Sequence, residues 1–558
     1  MTGQDAAARA LTEAAEGALN AGVATGRLGV RRAAAALAGA LSRSPGLGPR
    51  AAALARDLTG AAAGREVATP ARGDTRFTDP AWRDNPVYRR LGQAYLAAEQ
   101  AVHGAVDAAD VDWRTAAAAG LAARMLTSAL APTNTHPGNP AAQKRAFDTG
   151  GGSLLRGAQH ALSDTRAGRR TPSQVDSRPF RLGENLAATP GAVVYRDEVV
   201  EVIQYAPTTP SVRTVPLLVV WSLINRYYIL DLAPGRSFCE YAVSQGVTVF
   251  VTSWRNPGRD QARWDLDTYA AALSRVLTAV TEITGSPTVG TMGLCAGGQL
   301  LAAYLAHEEA TGRRRAAYAC FGVSQLDMSV PSVTGLAVSP PLPGLGRLAS
   351  RAGGVLDGRD IAAGFSWLRP GELVWNYWVN NYLLGQDPPA FDILAWNADT
   401  TRLPGACARQ LLAIAERDLL ATPGGVTLLG TPVDLAAVTV PVYVIGAETD
   451  HLVPWRAAYQ TTQLLGGDAT FTLSSGGHVQ HLVNPPGNPK SRYRTGPAPA
   501  GGPDDWLAAA SPGEGSWWRH WAEWVHGHSG ERRRARSRLG SRAHPPLDDA
   551  PGGYVRQR

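Results

Sequence analysis

TVGTMGLCAGGQL, residues 288–300, decides the architecture of this 558-residue chain. A short β-branched strand runs into Gly293-Leu294-Cys295-Ala296-Gly297-Gly298, and an Ala/Leu-rich helical pattern begins at once and continues to about His307. A chain that turns from strand to helix so abruptly holds one residue at a strained backbone angle, so its neighbours must lack bulky side chains. The pattern is a nucleophile elbow, G-x-S-x-G, with cysteine in the serine position. It lifts the sulfur clear of the sheet and aims a helix amino terminus at it, the end that favours negative charge. The chemistry this implies is acyl transfer through a covalent thioester.

Composition fits an enzyme of this kind. The chain is 44% hydrophobic and 18% charged, an ordinary balance with material for two or more domains. Cys239, Cys295, Cys320 and Cys407 are widely scattered with no C-x-x-C pair, which argues against a disulfide scaffold or structural zinc and fits a reducing cytoplasm. The three cysteines other than Cys295 read as buried small hydrophobes. The net charge of +7 rests almost wholly on dispersed arginines, with Lys only at 144 and 490, and no nucleic-acid motif accompanies them. Arg31-Arg32 followed by AAAALAGAL (33–41) resembles a secretory signal only superficially and reads as an Ala-rich helix. No run of strongly apolar residues is long enough to span a membrane.

Three regions emerge along the chain. Residues 1–75 are rich in Ala, Gly and Arg at roughly helical spacing, interrupted by the turn SRSPGLGP (42–49). Residues 76–178 are helical with interspersed aromatics and end in the polar, proline-punctuated stretch SDTRAGRRTPSQVDSRP (163–179), the best linker. Residues 179–558 alternate β-branched runs (193–205, 215–221, 247–254, 288–294, 316–324, 440–447) with helical segments (266–283, 297–309, 455–465). That alternation predicts an α/β domain with a mostly parallel sheet covered by helices on both faces. The pattern breaks between about 335 and 430, an aromatic-rich insertion of the kind that forms a cap. The basic run ERRRARSRLGSR (531–542) reads as a solvated terminal segment.

Cys295 needs a base and an acid in the order nucleophile, acid, histidine. Asp450 follows the strand VPVYVIGA (440–447), and the turn Ser475-Gly476-Gly477 delivers His478. His481 and His451 are alternative bases, and Asp327, after the strand AAYACFGVS (316–324), is an alternative acid. An oxyanion hole requires two donors. The backbone N–H of Ala296 is one expected donor; Asn225 and its neighbouring backbone in WSLINRYYILDL (221–232) are candidates for the other, although Asn225 also suits a simple turn. No metal-ligand pattern is present.

The chain resembles the single-subunit polyhydroxyalkanoate synthases. Their G-x-C-x-G-G box is Gly293 to Gly298 here. DPAWRDNPVYRRLGQAYLA (79–97), GNPAAQKRAFDTGG (138–151), INRYYILDL (224–232), DHLVPW (450–455), GGHVQHLVNPPGNPK (476–490) and, most specifically, LRPGELVWNYWVNNYLLGQDPPAFDILAWNADTTRLP (368–404) also match. The resemblance covers residues from about 75 onward. It implies a helical N-terminal domain before an α/β-hydrolase catalytic domain with a cap, and a triad of Cys295, Asp450 and His478. It implies an acyltransferase, a poly(3-hydroxyalkanoate) polymerase, that builds polyester from (R)-3-hydroxyacyl-CoA. No cofactor is implied; coenzyme A belongs to the substrate and is released. The growing chain and granule surface are the implied partners, with a homodimer as active form and a cytoplasmic, granule-associated location. One departure stands out: Trp221-Ser222 replaces the Pro-Pro usual in the family. Losing two prolines is expected to loosen this loop, and Trp221 to add bulk near the substrate entrance. A thioesterase or polyester depolymerase of the same fold, and a non-catalytic granule-surface protein, are the rival readings. The 368–404 block leans toward medium-chain substrates.

Overall fold

The computed structural model describes residues 27–332, 354–498 and 501–558. It divides them into two compact units, one of residues 27–176 with 360–390, the other of 177–332, 354–359 and 391–558. The boundary after Asp176 falls inside the polar stretch 163–179. Residues 1–26 of the Ala/Arg-rich start and 335–353 of the insertion lie outside the described residues.

The first unit is built from helices α1 (Arg27–Ser42), α2 (Leu47–Ala62), α3 (Pro86–Asp107), α4 (Trp113–Ala129), α5 (Pro140–Asp148) and α6 (Gly152–Arg166). Local chemistry starts them. Asn85 accepts from the N–H groups of Val87 and Tyr88 ahead of α3, with Pro86 in the first turn, and Asp112 does the same for α4. Ala118, Ala119, Ala122 and Ala123 are buried on α4, and their small side chains let α1 pack closely against it. The aromatic segment joins this unit. Trp378 donates its indole N–H to the Asn134 carbonyl at 3.0 Å, and the Tyr382 hydroxyl bonds Asp164 at 2.8 Å. Gly157 is required on α6 because a Cβ there would overlap the Tyr382 carbonyl.

The second unit is organised by one eleven-stranded sheet. Its strands are β1 (Gly191–Arg196), β2 (Val200–Tyr205), β3 (Leu217–Val220), β4 (Val249–Trp254), β5 (Val289–Leu294), β6 (Ala316–Gly322), β7 (Val442–Ala447), β8 (Ala469–Ser474), β9 (Arg492–Pro497), β10 (Ser511–Glu514) and β11 (Asp548–Asp549). Their order is β10-β9-β8-β7-β6-β5-β3-β4-β2-β1-β11. The run from β4 to β8 is parallel, and antiparallel strands extend it on both sides. This is the α/β-hydrolase architecture. Every residue of β3, β5 and β7 is buried, the pattern of strands covered on both faces. Helices α7 (Leu266–Thr284), α8 (Ala296–Ala310) and α9 (Trp455–Leu464) occupy the expected positions.

Two sequence expectations change. The run 193–205 is a hairpin, because Asp197 accepts from the N–H groups of Val199 and Val200 and turns the chain. The basic run 531–542 is not merely solvated. Arg532–Arg534 pairs with Ser211–Arg213, and Arg533 and Arg536 donate to the last carbonyls of α7, where cations complement the helix dipole.

Candidate active site

The turn between β5 and α8 has the geometry its residues predict. Cys295 stands at φ 52° and ψ −127°, a left-handed conformation that costs a side-chain-bearing residue energy. Its N–H donates to the Gly322 carbonyl at 3.0 Å, and its own carbonyl accepts from Gly298 N–H at 2.9 Å and from the Ser324 hydroxyl at 3.0 Å. The three glycines are spatial requirements. A Cβ on Gly293 would lie 2.6 Å from the Cα of Gly298, and one on Gly297 2.5 Å from the Val220 carbonyl oxygen. A Cβ on Gly298 would overlap the Ser324 hydroxyl. Bulk at any of these positions pushes the helix off the sheet and takes Cys295 with it. The Ala296 N–H lies in the first turn of α8, among the N–H groups that lack an in-helix acceptor.

Asp450 and His478 meet at the carboxyl ends of β7 and β8. Asp450 Oδ1 accepts from the N–H groups of Leu452 (2.8 Å) and Val453 (3.0 Å), leaving Oδ2 to accept from His478 Nδ1 at 2.7 Å. The Cys295 side chain lies near enough to the His478 ring to add to its upward shift. The Asp450 side chain is wholly buried. Burial alone would neutralise both groups, but each outweighs that cost with the other's charge. Asp450 is held below the usual carboxylate range, chiefly by the His478 charge and hydrogen bond. For His478, burial works downward, yet the Asp450 charge and hydrogen bond, with Cys295 adding to them, raise it to about 10. Each group thus favours the charged form of the other.

The structure therefore brings Cys295, Asp450 and His478 together, with only His478 hydrogen-bonded to Asp450 among the histidines whose bonds are described. His481 is wholly buried, its Nδ1 3.2 Å from the Gly477 carbonyl, and burial pushes it down to about 4, so it is neutral. His451 is half-buried in the turn after Asp450. Asp327 is occupied in a local turn, accepting from the N–H and hydroxyl of Ser329. Cys239, Cys320 and Cys407 are buried, with burial raising all three thiols, Cys320 to about 12. Among the described residues, no group of three or more His, Cys, Asp and Glu side chains is arranged to hold a metal ion.

Asn225 lies half-buried beyond β3 and pairs with Thr400 in an isolated bridge. The loop leading to it differs from the expectation of looseness and protruding bulk. Trp221 is only 3% exposed. Its backbone N–H donates to the Thr252 hydroxyl at 3.0 Å, and its indole N–H to the Asn225 carbonyl at 2.9 Å. Its carbonyl accepts from the Trp254 indole at 2.8 Å. Proline at 221 would lack that N–H donor. Thr252, Trp254 and Ser324 are supporting residues that sequence reasoning missed. They stand on neighbouring strands or just beyond them, and nothing in their local sequence marks them.

Residues 73–242 match the family described as Poly-beta-hydroxybutyrate polymerase (PhaC) N-terminus, and residues 234–485 match the alpha/beta hydrolase fold. The chain is 44% identical over 486 residues to Poly(3-hydroxyalkanoate) polymerase 2 of Ectopseudomonas oleovorans, covering 87% of each chain. It is 41% identical to polymerase 1 of the same organism, covering 89% of this chain and 88% of the relative. The Poly(3-hydroxyalkanoate) polymerase subunit PhaC of Cupriavidus necator is 38% identical, covering 89% of this chain and 85% of the relative.

Proposed function

The chain belongs to the poly(3-hydroxyalkanoate) polymerase family and is an enzyme of that family, and from that premise we propose that it builds polyester from (R)-3-hydroxyacyl-CoA through a thioester on Cys295. The observation that carries the proposal is the Asp450–His478 hydrogen bond, with Cys295 in a strained turn near enough to act on the His478 ring. His478 takes the proton from Cys295. The sulfur attacks the substrate carbonyl, the carbon–sulfur bond to coenzyme A breaks, and the proton passes to the leaving CoA sulfur. The acyl group remains a thioester and keeps its activation. The 3-hydroxyl of a second unit then loses its proton to the His478–Asp450 pair and attacks that carbonyl, forming an ester and releasing the cysteine.

Charge accumulates on the carbonyl oxygen in both steps, and the Ala296 N–H with the Asn225 backbone is the proposed site for it. No cofactor is part of this scheme. Polymer contact at granules and a dimeric active form belong to the same proposal. Among the described residues, no helix is long and apolar enough to cross a membrane.

The test is CoA release and product mass with (R)-3-hydroxybutyryl-CoA and (R)-3-hydroxydecanoyl-CoA supplied separately. Release with high-mass polyester supports the proposal, and the faster substrate assigns the chain-length class. Release with free hydroxy acid alone would replace it with hydrolysis.

A further inference from the structure

The five-residue loop from Trp221 to Asn225 contains neither proline nor glycine, so nothing in its backbone chemistry restricts it to one conformation. Its closure is made by side chains. Within the loop, the Trp221 indole N–H reaches the Asn225 carbonyl at 2.9 Å, and the Ser222 hydroxyl accepts from the Ile224 N–H at 3.4 Å. From outside, Thr252 takes the Trp221 N–H and Trp254 donates to the Trp221 carbonyl, both at the end of the neighbouring strand β4. Most of these groups are removed from water: Trp221, Ser222, Thr252 and Trp254 are buried, and Ile224 and Asn225 are half-buried.

The loop also abuts the nucleophile turn. A Cβ on Gly297, two residues after Cys295, would lie 2.6 Å from the Trp221 carbonyl oxygen, so that carbonyl is packed against the first turn of α8. One side chain thus links the strand end touching the elbow to Asn225, the far end of the loop. Releasing the indole bond leaves Asn225 held only by its bridge to Thr400 and leaves its carbonyl to find another donor.

We propose that Trp221 is a positioning residue for acyl transfer, its indole N–H holding the Asn225 backbone where it serves the oxyanion. This rests on the reading above that Cys295 is the acylated nucleophile and Asn225 lies on the oxyanion side. The role has a signature that separates it from general support of the fold. Thioester attack places negative charge on the carbonyl oxygen and depends on preorganised donors. Alkylation of the same sulfur by iodoacetamide forms a carbon–sulfur bond and expels iodide, with no oxyanion. A misplaced oxyanion donor therefore slows the first reaction and spares the second.

The experiment uses the full-length protein with Trp221→Phe, which keeps an aromatic ring and removes the donor. CoA release from (R)-3-hydroxybutyryl-CoA is measured for kcat and KM, alongside the rate of iodoacetamide labelling at Cys295. The expected result is a fall in kcat of about tenfold, below the 10²–10³-fold loss typical of deleting an oxyanion donor outright. KM and the labelling rate stay within about twofold of wild type. An equal fall in labelling and acyl transfer would make Trp221 a structural residue and overturn the proposal; so would an unchanged kcat. If Trp221→Phe does not fold, Trp254→Phe, which frees the Trp221 carbonyl, is read by the same comparison. Cys295→Ala runs beside them: CoA release that survives this substitution refutes the nucleophile reading itself rather than the role of Trp221 alone.

Discussion

Two turns lie side by side at the carboxyl ends of the paired strands β5 and β3, and they are held in opposite ways. The Cys295 turn is specified by contiguous residues: glycines at 293, 297 and 298 make room, and the strained φ of Cys295 follows from that packing. The loop from Trp221 to Asn225 is specified from a distance, by Thr252 and Trp254 on β4 and by Thr400 far along the chain. A site element built from neighbours in sequence can be recognised in the sequence, whereas one built from side chains on other strands is visible only after folding.

The comparison is tested hardest at the nucleophile. Cys295→Ala should abolish acyl-enzyme labelling and lower CoA release by at least about 10³-fold, as removing one member of a triad that acts as a unit does. Mass spectrometry after incubation with substrate reports the loss. Retained labelling would dissociate the Cys295 turn from catalysis and dissolve the contrast.

Asp450→Asn comes next, with a loss in kcat of about 10²–10⁴-fold, because the imidazole loses the group that orients and charges it. It also carries a pH signature. The folded pKa of His478 is about 10 and its ordinary value 6.5, so its stabilising contribution is complete below about 6.5 and disappears as pH rises toward 10. Asp450 is depressed, so its contribution is present above about 4 and is lost as pH falls through its folded value. Urea unfolding between pH 5 and 10 should show stability declining on the alkaline side in wild type. Asp450→Asn should flatten that decline.

Smaller effects compare the two turns directly. Gly297→Ala forces a methyl group against the Val220 and Trp221 carbonyls and should cost about 1–3 kcal/mol in a denaturant titration. Trp254→Phe leaves the Trp221 carbonyl without its buried donor, at a cost of about 1 kcal/mol. If Trp254→Phe proves as costly as Gly297→Ala, the distant scaffold matters as much as the local one, and the contrast sharpens in its favour.

Legibility followed the same division. The strands β3 to β7 and the helices α7, α8 and α9 were readable because buried parallel strands are continuous β-branched runs and the helices between them keep a regular period. The hairpin at Asp197 was not, because one side chain bonding two N–H groups outweighed a pattern that reads as a single strand. The contacts of the basic run near the C-terminus are hidden for a related reason: Arg533 and Arg536 serve carbonyls at the end of α7, some 250 residues earlier in the chain. His478 and His481, three residues apart in one turn, are alike by composition. The hydrogen bond and charge of Asp450 raise the first to about 10 against its burial, while burial, with the nearby His478 charge added to it, drops the second to about 4.

By itself, the sequence determined the Gly-x-Cys-x-Gly turn between strand and helix, the chain order of Cys295, Asp450 and His478, and the alternation that builds a parallel sheet, since these depend on residue type and short spacing. Only the tertiary structure decided which histidine pairs with Asp450, that Asp327 is spent on Ser329, and that Trp221 closes a loop instead of obstructing one. Those outcomes depend on burial and on hydrogen-bond partners that folding brings from distant parts of the chain, and no local pattern encodes them.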